Sequence, residues 1–327
     1  MSTDDQQLIE GTASRPEADS TLRSERREFF RAAFGAVAVT AAGAGALAIA
    51  TSASAATIAD NDMGNFLLQL EYLGAQYYSY AVTGAGLPAA QLTGVGTAGA
   101  ATGARQVTFT DPLVAQYAKE IAQDLAGHVA YLRTTLGTDG ATAQPAIDLG
   151  VTATGAFSKL AAGATIVATG GTFDVYASDE NFLLGAFMIE DVLVTAYNGA
   201  STTITDKTLL SALLGILSSH AHHAAVIRSL LYAKGVATPA LRTNADKISD
   251  VRDVLDGTGT DVDQGISPTT VSGNLVSNIV PAGADGLAYG RSSGQVLNVL
   301  YLNSAAVSAG GFFTAGLNGA VKTSTAN

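Results

Sequence analysis

The strongest constraint on the fold of this chain is where its imidazoles and two of its carboxylates fall along helix-period runs. The chain has four histidines, and three lie in one stretch, Leu217-Ser-Ser-His220-Ala-His222-His223-Ala-Ala-Val-Ile-Arg-Ser-Leu-Leu231. At 3.6 residues per turn, His220 and His223 share a face with Ile216, Ile227 and Leu230, while His222 points elsewhere. The fourth, His128, has Leu125, Tyr131 and Leu132 around it in another helical run. Glu71 sits among Leu67, Ala75 and Tyr78, and Glu190 among Phe187, Leu193, Val194 and Tyr197, each at helical spacing. A charge buried alone costs several kcal/mol, so such groups need a partner or a metal. Four helices that each turn an imidazole or a carboxylate inward describe a metal site in the core of a bundle. The plainer reading keeps the histidines as core residues bonded to Ser or Tyr. It pairs the two glutamates with Arg133, Arg228 or a buried tyrosine.

Composition narrows the chemistry. The chain has no cysteine, so His, Asp and Glu are the strong metal ligands it offers. Its formal net charge of −11 argues against nucleic-acid binding, because no basic face is available to neutralise phosphates. Only 14% of residues are charged and 47% are hydrophobic, which excludes a disordered chain and makes a homo-oligomer or a cell-envelope contact the expected association. No small-molecule substrate is identifiable, no Ser/His/Asp arrangement is visible, and the Gly-rich runs near Gly84 and Gly94 follow no strand.

Residues 1–55 read as a removable leader. Ser24-Glu-Arg-Arg-Glu-Phe-Phe-Arg31 carries a twin-arginine pattern, an Ala/Gly-rich apolar run follows, and Ala53-Ser-Ala55 is a small-residue cleavage site. A membrane anchor helix is the alternative, but the run is weakly hydrophobic and suits a leader better than a span. Twin-arginine export would place the mature chain in the periplasm or at the cell surface.

Within the mature chain, Asn61-Asp62 reads as a cap for a helix over 63–83 that Gly84 ends. A little strand is expected around Val107–Thr110. Asp111-Pro112 starts a second helix that reaches Leu136. A connection over 138–178, with a short helix near Ala153–Ala161, is far longer than helix–helix loops usually are and is expected to cross the bundle. Ser178 caps a third helix that reaches about Asn198, closed by Gly199. Asp206 caps a fourth, which runs to Lys234. Residues 236–290 read mostly as loop with a short helix around Lys247–Leu255, and 292–308 as a further helix. The acidic stretch Asp250 to Asp263 lacks the full calcium-loop register and reads as a solvated loop. The resulting organisation is a four-helix bundle over 56–240 and a C-terminal extension over 241–327.

Several segments carry a resemblance. They are Asn65-Phe-Leu-Leu-Gln-Leu-Glu71-Tyr, Glu120-Ile-Ala-Gln-Asp-Leu-Ala-Gly-His128, Asn181-Phe-Leu-Leu-Gly-Ala-Phe-Met-Ile-Glu190 and His220-Ala-His-His223. Asn278-Ile-Val-Pro, Arg291 to Tyr301 and Gly310-Gly-Phe-Phe match further downstream. Together they resemble the desiccation-related branch of the ferritin-like superfamily. The resemblance implies an all-α fold, a ferritin-like four-helix bundle with a long inter-helix connection. Ferritin-like sites take one Glu from each of two helices and Glu-x-x-His from each of the other two. Glu71 and Glu190 match the lone glutamates, and His128 and His223 match the histidines. The Glu of each pair is replaced, by Leu125 and by His220. Asp124 adjoins Leu125 but is rotated about 100° from it.

Three imidazoles with two carboxylates suit a single Fe, Mn or Zn better than a carboxylate-bridged pair of ions. The expected ligands are Glu71, His128, Glu190, His220 and His223; Tyr72, Tyr77, Tyr78, Tyr80, Tyr131 and Tyr197 read mostly as core filler, with a hydrogen bond from one of them to a ligand as the lesser alternative. The departures at 125 and 220 leave a metal-free structural or desiccation-protective envelope protein, self-assembling or not, as the alternative. They also weigh against di-iron oxidase chemistry.

Overall fold

A computed structural model describes residues 58–257 and 261–327. The leader read at 1–55 lies outside the described residues. Helices dominate: α1 Asp60–Thr83, α2 Pro112–Leu136, α3 Ala156–Gly163, α4 Asp179–Ser201, α5 Lys207–Lys234, α6 Ala240–Asp256 and α7 Ser293–Tyr301. α1 packs along α2 and α4 along α5, and the two pairs close into an all-α four-helix bundle. α1 and α4 are buried along most of their length, which is why their sequences are apolar nearly all round and not amphipathic.

The local start and stop signals act largely as read. Asp111 accepts a hydrogen bond from the Leu113 amide with Pro112 at N1, Ser178 accepts from Asn181, and Asp206 accepts from Leu209. Gly84 ends α1 in the left-handed region at φ 77°.

Four boundaries differ from expectation. α1 starts at Asp60 with Ala59 at the N-cap, which has no side-chain group to cap with, and the Asp60 carboxylate accepts from the Thr205 and Asp206 amides ahead of α5. α4 runs through Gly199 to Ser201, and a Cβ at Gly199 would lie 1.9 Å from the Arg291 carbonyl. That glycine therefore serves close approach of the extension and not helix termination. α6 spans 17 residues where a short helix was expected. α7 stops at Tyr301, with Leu302 in the left-handed region at φ 54°. No strand forms at Val107–Thr110. Ala101–Thr102 instead pairs in parallel with Ile147–Asp148, and Thr269–Val271 forms a hairpin with Asn274–Val276.

The long connection between α2 and α4 is fastened by buried polar residues of α1. Asn65 Nδ2 donates to the Gly140 carbonyl at 2.9 Å, Gln69 Nε2 to the Ala143 carbonyl at 3.1 Å, and Gln76 Nε2 to Gln144 Oε1 at 2.5 Å. The extension is fastened by charge. Arg252 bonds Asp191 at 3.0 Å and Asp263 at 2.7 Å, Arg291 bonds Asp256 at 2.5 Å and Asp263 at 2.8 Å, and Arg228 bonds Asp191 at 2.8 Å. All six side chains are buried. Asp256 and Asp263, read as part of a solvated loop, are thus structural, and the Asp250–Asp263 carboxylates do not converge as a cation site among the described residues.

Candidate metal centre

The five residues singled out in the sequence meet in the bundle core. Glu71 comes from α1, His128 from α2, Glu190 from α4, and His220 and His223 from α5. Glu71, Glu190 and His220 are fully buried, and His223 is nearly so. His128 is the most open of the five, its side chain 13% exposed. His222 is exposed and takes no part.

His220 stands between the two glutamates. Its Nε2 lies 2.8 Å from Glu71 Oε1 and its Nδ1 3.0 Å from Glu190 Oε2. With an acceptor at each ring nitrogen, both must donate, so the metal-free centre holds an imidazolium between two carboxylates. Burial alone would lower the His220 pKa. The charges and hydrogen bonds of Glu71 and Glu190 overturn that and push it up to about 10. Burial would likewise raise the pKa of Glu71, but the His220 charge and the nearby His128 hold it well below the ordinary carboxylate range.

Tyrosines flank both carboxylates. Tyr197 donates to Glu71 Oε1 at 2.5 Å. The Tyr78 hydroxyl is buried near Glu190 without a hydrogen bond, and burial, reinforced by the Glu190 charge, pushes its pKa well up. Neither arginine considered as a partner reaches the glutamates. Arg133 bonds the Tyr72 hydroxyl at 2.7 Å and the Thr93 carbonyl, and Arg228 belongs to the extension network.

Several donor atoms remain unsatisfied. Glu71 Oε2, Glu190 Oε1, His128 Nδ1 and His223 Nδ1 are buried and have no hydrogen-bond partner. His128 Nδ1 and Glu71 Oε2 face each other at 3.5 Å, and His223 Nδ1 and Glu190 Oε2 at 4.0 Å. Two donor sets share His220: Glu71, His128 and His220, and Glu190, His220 and His223. In each, one atom per residue lies within 4.8 Å of the others. Unpaired buried polar atoms are uncommon in folded proteins and call for a partner such as a water or an ion; these four sit on residues of the two converging donor sets. The all-N/O donor set fits Fe, Mn or Zn, so the centre allows a metal site without naming the metal.

One participant was set aside in the sequence. Asp124, rotated off the Leu125 face, does not replace the missing glutamate. It does reach His223 across the bundle, with Oδ2 3.0 Å from Nε2. The His223 Nε2–H then donates outward and leaves Nδ1 free to face Glu190, the arrangement by which a carboxylate fixes a ligand histidine's tautomer. The signal lay in the spacing: Asp124 is one turn before His128 and shares its side of α2. Leu125 itself is fully buried.

A helical bundle with carboxylates and imidazoles turned inward from all four helices defines the class as ferritin-like. Residues 59–233 match the ferritin-like domain, and the chain belongs to that family. Among curated proteins it is similar to the ferritin-like catalase Nec2 of Nesocodon mauritianus, at 27% identity, covering 80% of this chain and 85% of Nec2. It is also similar to the desiccation-related protein PCC13-62 of Craterostigma plantagineum, at 25% identity, covering 73% of this chain and 76% of the relative. These relatives support the desiccation-related branch. No solved structure matches the chain significantly.

Proposed function

We propose that this chain is an exported ferritin-like protein that binds one transition metal in the bundle core through Glu71, His128, Glu190, His220 and His223. The observation that carries the reading is the set of four buried, unpartnered donor atoms on Glu71, Glu190, His128 and His223. Charge supports a single ion. Two carboxylates and three neutral imidazoles balance one divalent cation, whereas a second would lack counter-charge because Leu125 and His220 stand where bridging glutamates are needed. The metal, if Fe or Mn, would supply redox chemistry; Zn would supply a structural cross-link. The residues' own part is to hold the ion dry, with Tyr197 on Glu71 and Asp124 on His223 fixing two ligands. One relative is named a catalase, so hydrogen peroxide is the first substrate to offer the metal-loaded protein.

Metal analysis after reconstitution tests the reading. About one equivalent of Fe, Mn or Zn is expected in the wild type and none in His223→Ala, with His222→Ala unchanged. Less than about 0.1 equivalent of any of them would overturn it.

A second reading, a metal-free protective envelope protein, is supported by the His220 bridge, which pairs both glutamates with an imidazole of the chain itself. The kinship with a desiccation-related protein also favours it. Export through the twin-arginine route to the periplasm or cell surface rests on Arg26-Arg27 and the run that follows. Replacing the pair with lysines is expected to leave the precursor in the cytoplasm. Self-association or envelope contact is suggested by exposed apolar side chains such as Val236, Leu275, Val280 and Leu287, each about 70% exposed. Light scattering on the purified protein tests it.

A further inference from the structure

α4 and α5 are both long, strongly apolar helices, the kind that is normally buried all round. In α4, 89% of the most apolar stretch is buried; in α5 only 33% is. The exposed side of α5 carries Ser211, Leu214, Gly215, Ser218, Ala221 and His222. At 3.6 residues per turn these fall within about one third of the helix circumference. No Asp, Glu, Lys or Arg lies between Lys207 and Arg228, and Arg228 is buried with its guanidinium on the extension. The exposed side of α2, in the same bundle, is ordinary by contrast and carries Lys119, Glu120 and Asp124.

Gly215 is a separate sign that something outside the chain approaches this face. A glycine inside a helix costs about 1 kcal/mol relative to alanine. Gly64, Gly74, Gly185 and Gly199 are explained within the chain, because a Cβ at each would lie within 3.3 Å of Leu136, Leu193, Tyr77 or Arg291. A Cβ at Gly215 would meet nothing within 4 Å, so no contact of the chain itself calls for glycine there. Gly127 of α2 is open in the same way but stands beside the charged residues of that helix. The Ser218 hydroxyl donates to the Leu214 carbonyl at 2.8 Å, so it can be covered without losing its partner.

Charge and shape name the occupant. At a formal net charge of −11 two copies of the chain repel, and a strip without charge is where they approach at least cost. Small side chains let two helix backbones come close. A lipid surface fits poorly: helices that lie on it present bulky apolar side chains beside basic ones, whereas this face has one bulky residue, Leu214, and no basic residue within the stretch. The strip is about 30 Å long and about 11 Å across, roughly 330 Å² of projected face per copy. That is well short of an obligate dimer and suits a reversible one. We propose that two copies of this chain pair through the outer face of α5, antiparallel about a two-fold axis near Ser218. The midpoint of the charge-free stretch fixes the axis, and it sets Gly215 of each copy against the Ala221–His222 turn of the other. The proposal rests on the self-association reading above and gives it a face. His220 and His223 lie on the inward side of the same helix, so the pairing does not touch the metal centre.

Sedimentation equilibrium of the purified protein, read as mass against concentration, tests the proposal. A reversible monomer–dimer equilibrium is expected in the wild type. Ser218→Glu, which brings two carboxylates together at the axis, is expected to weaken the dimer about tenfold or more. Gln123→Glu adds the same charge on the exposed side of α2 and is expected to leave the dimer unchanged. Both positions are exposed, so both variants are expected to fold, with circular dichroism as the check, and Gly215→Leu is a second block of the face. A single-chain mass at every concentration would overturn the self-association reading and this face together. A dimer that a folded Ser218→Glu leaves intact, or that Gln123→Glu weakens equally, would overturn the face alone. So would flotation of the wild type, but not of Ser218→Glu, with phosphatidylcholine–phosphatidylglycerol vesicles, because the strip would then be meeting lipid.

Discussion

Glu190 and Asp191 are neighbours on α4, yet they enter two buried clusters of opposite character. Asp191 joins a network in which three arginines meet three aspartates, and Arg228 alone also donates to the carbonyls of Gln264, Gly265, Asn278 and Ile279. The network has unpartnered atoms of its own, on Asp191, Asp256 and Arg252; Glu190 joins a centre that differs in its charge, with one imidazolium between two carboxylates, a surplus of negative charge, and four bare atoms on groups that face one another. Similar burial thus supports two uses. A balanced cluster holds pieces of the chain together; an unbalanced one with converging lone pairs is prepared for a cation that the chain does not itself provide.

The comparison breaks most sharply at the network. Arg252→Ala leaves Asp191 and Asp263 short of charge in an interior that cannot hydrate them. A loss of about 3–5 kcal/mol is expected whether or not metal is present, read by denaturant unfolding. If the loss vanished when metal was added, the network would not be the self-sufficient partner it is taken to be.

The next effect is the mirror image and depends on metal. His223→Ala is expected to unfold close to the wild type in chelator, and to lack the stabilisation that metal gives the wild type. At a thousandfold excess over Kd that stabilisation is about 4 kcal/mol. Equal stability of variant and wild type in metal-replete buffer would move the centre into the same class as the network.

Acidity separates the clusters by the pH window in which each loses stability. The His220 pKa rises from 6.5 to about 10 in the metal-free fold, so its stabilising contribution is full below pH 6.5 and is lost as pH rises through about 10. A loss of about 2 kcal/mol is expected between pH 6.5 and pH 8, at 1.36 kcal/mol per unit, and little of it in His220→Gln. Asp256 shifts in the same direction but in a lower window. Burial, opposed by Arg291, raises its pKa from 3.8 to about 6, so its ionisation weighs against the fold as pH climbs through that window. Denaturation at pH 5, 6.5 and 8 checks both.

The sequence revealed these two clusters unequally, for a physical reason. The bundle and its five inward side chains were legible because each lies in a long helix whose 3.6-residue period sorts neighbours into faces. The caps at Asp111, Ser178 and Asp206 were legible because their chemistry is local. The network was not, because its partners lie on different elements: Arg252 and Asp256 on α6, Asp263 and Arg291 in irregular backbone, Asp191 on α4. Asp256 and Asp263 look like solvated loop residues until the extension folds over them. Gly199 likewise read as a helix stop because nothing local announces the Arg291 carbonyl against it.

Asp124 gives the smallest and most discriminating test. It is 47% exposed, so its removal leaves no buried charge stranded, and stability in chelator is expected to change by less than about 0.5 kcal/mol. Its contact with His223 Nε2 nonetheless decides which nitrogen carries the proton. Without an acceptor outside, the proton can settle on Nδ1 and block the lone pair that faces Glu190. Asp124→Asn keeps the shape and still offers the side-chain carbonyl as an acceptor, so it is expected to weaken metal less than Asp124→Ala. The alanine variant is expected to lose about 10–100-fold in metal affinity, the range seen when a ligand's outer partner is removed. Metal titration of the two variants beside the wild type measures both. An affinity unchanged in Asp124→Ala would mean that His223 holds its tautomer without Asp124, and that the contact belongs with the exposed ion pairs that contribute little.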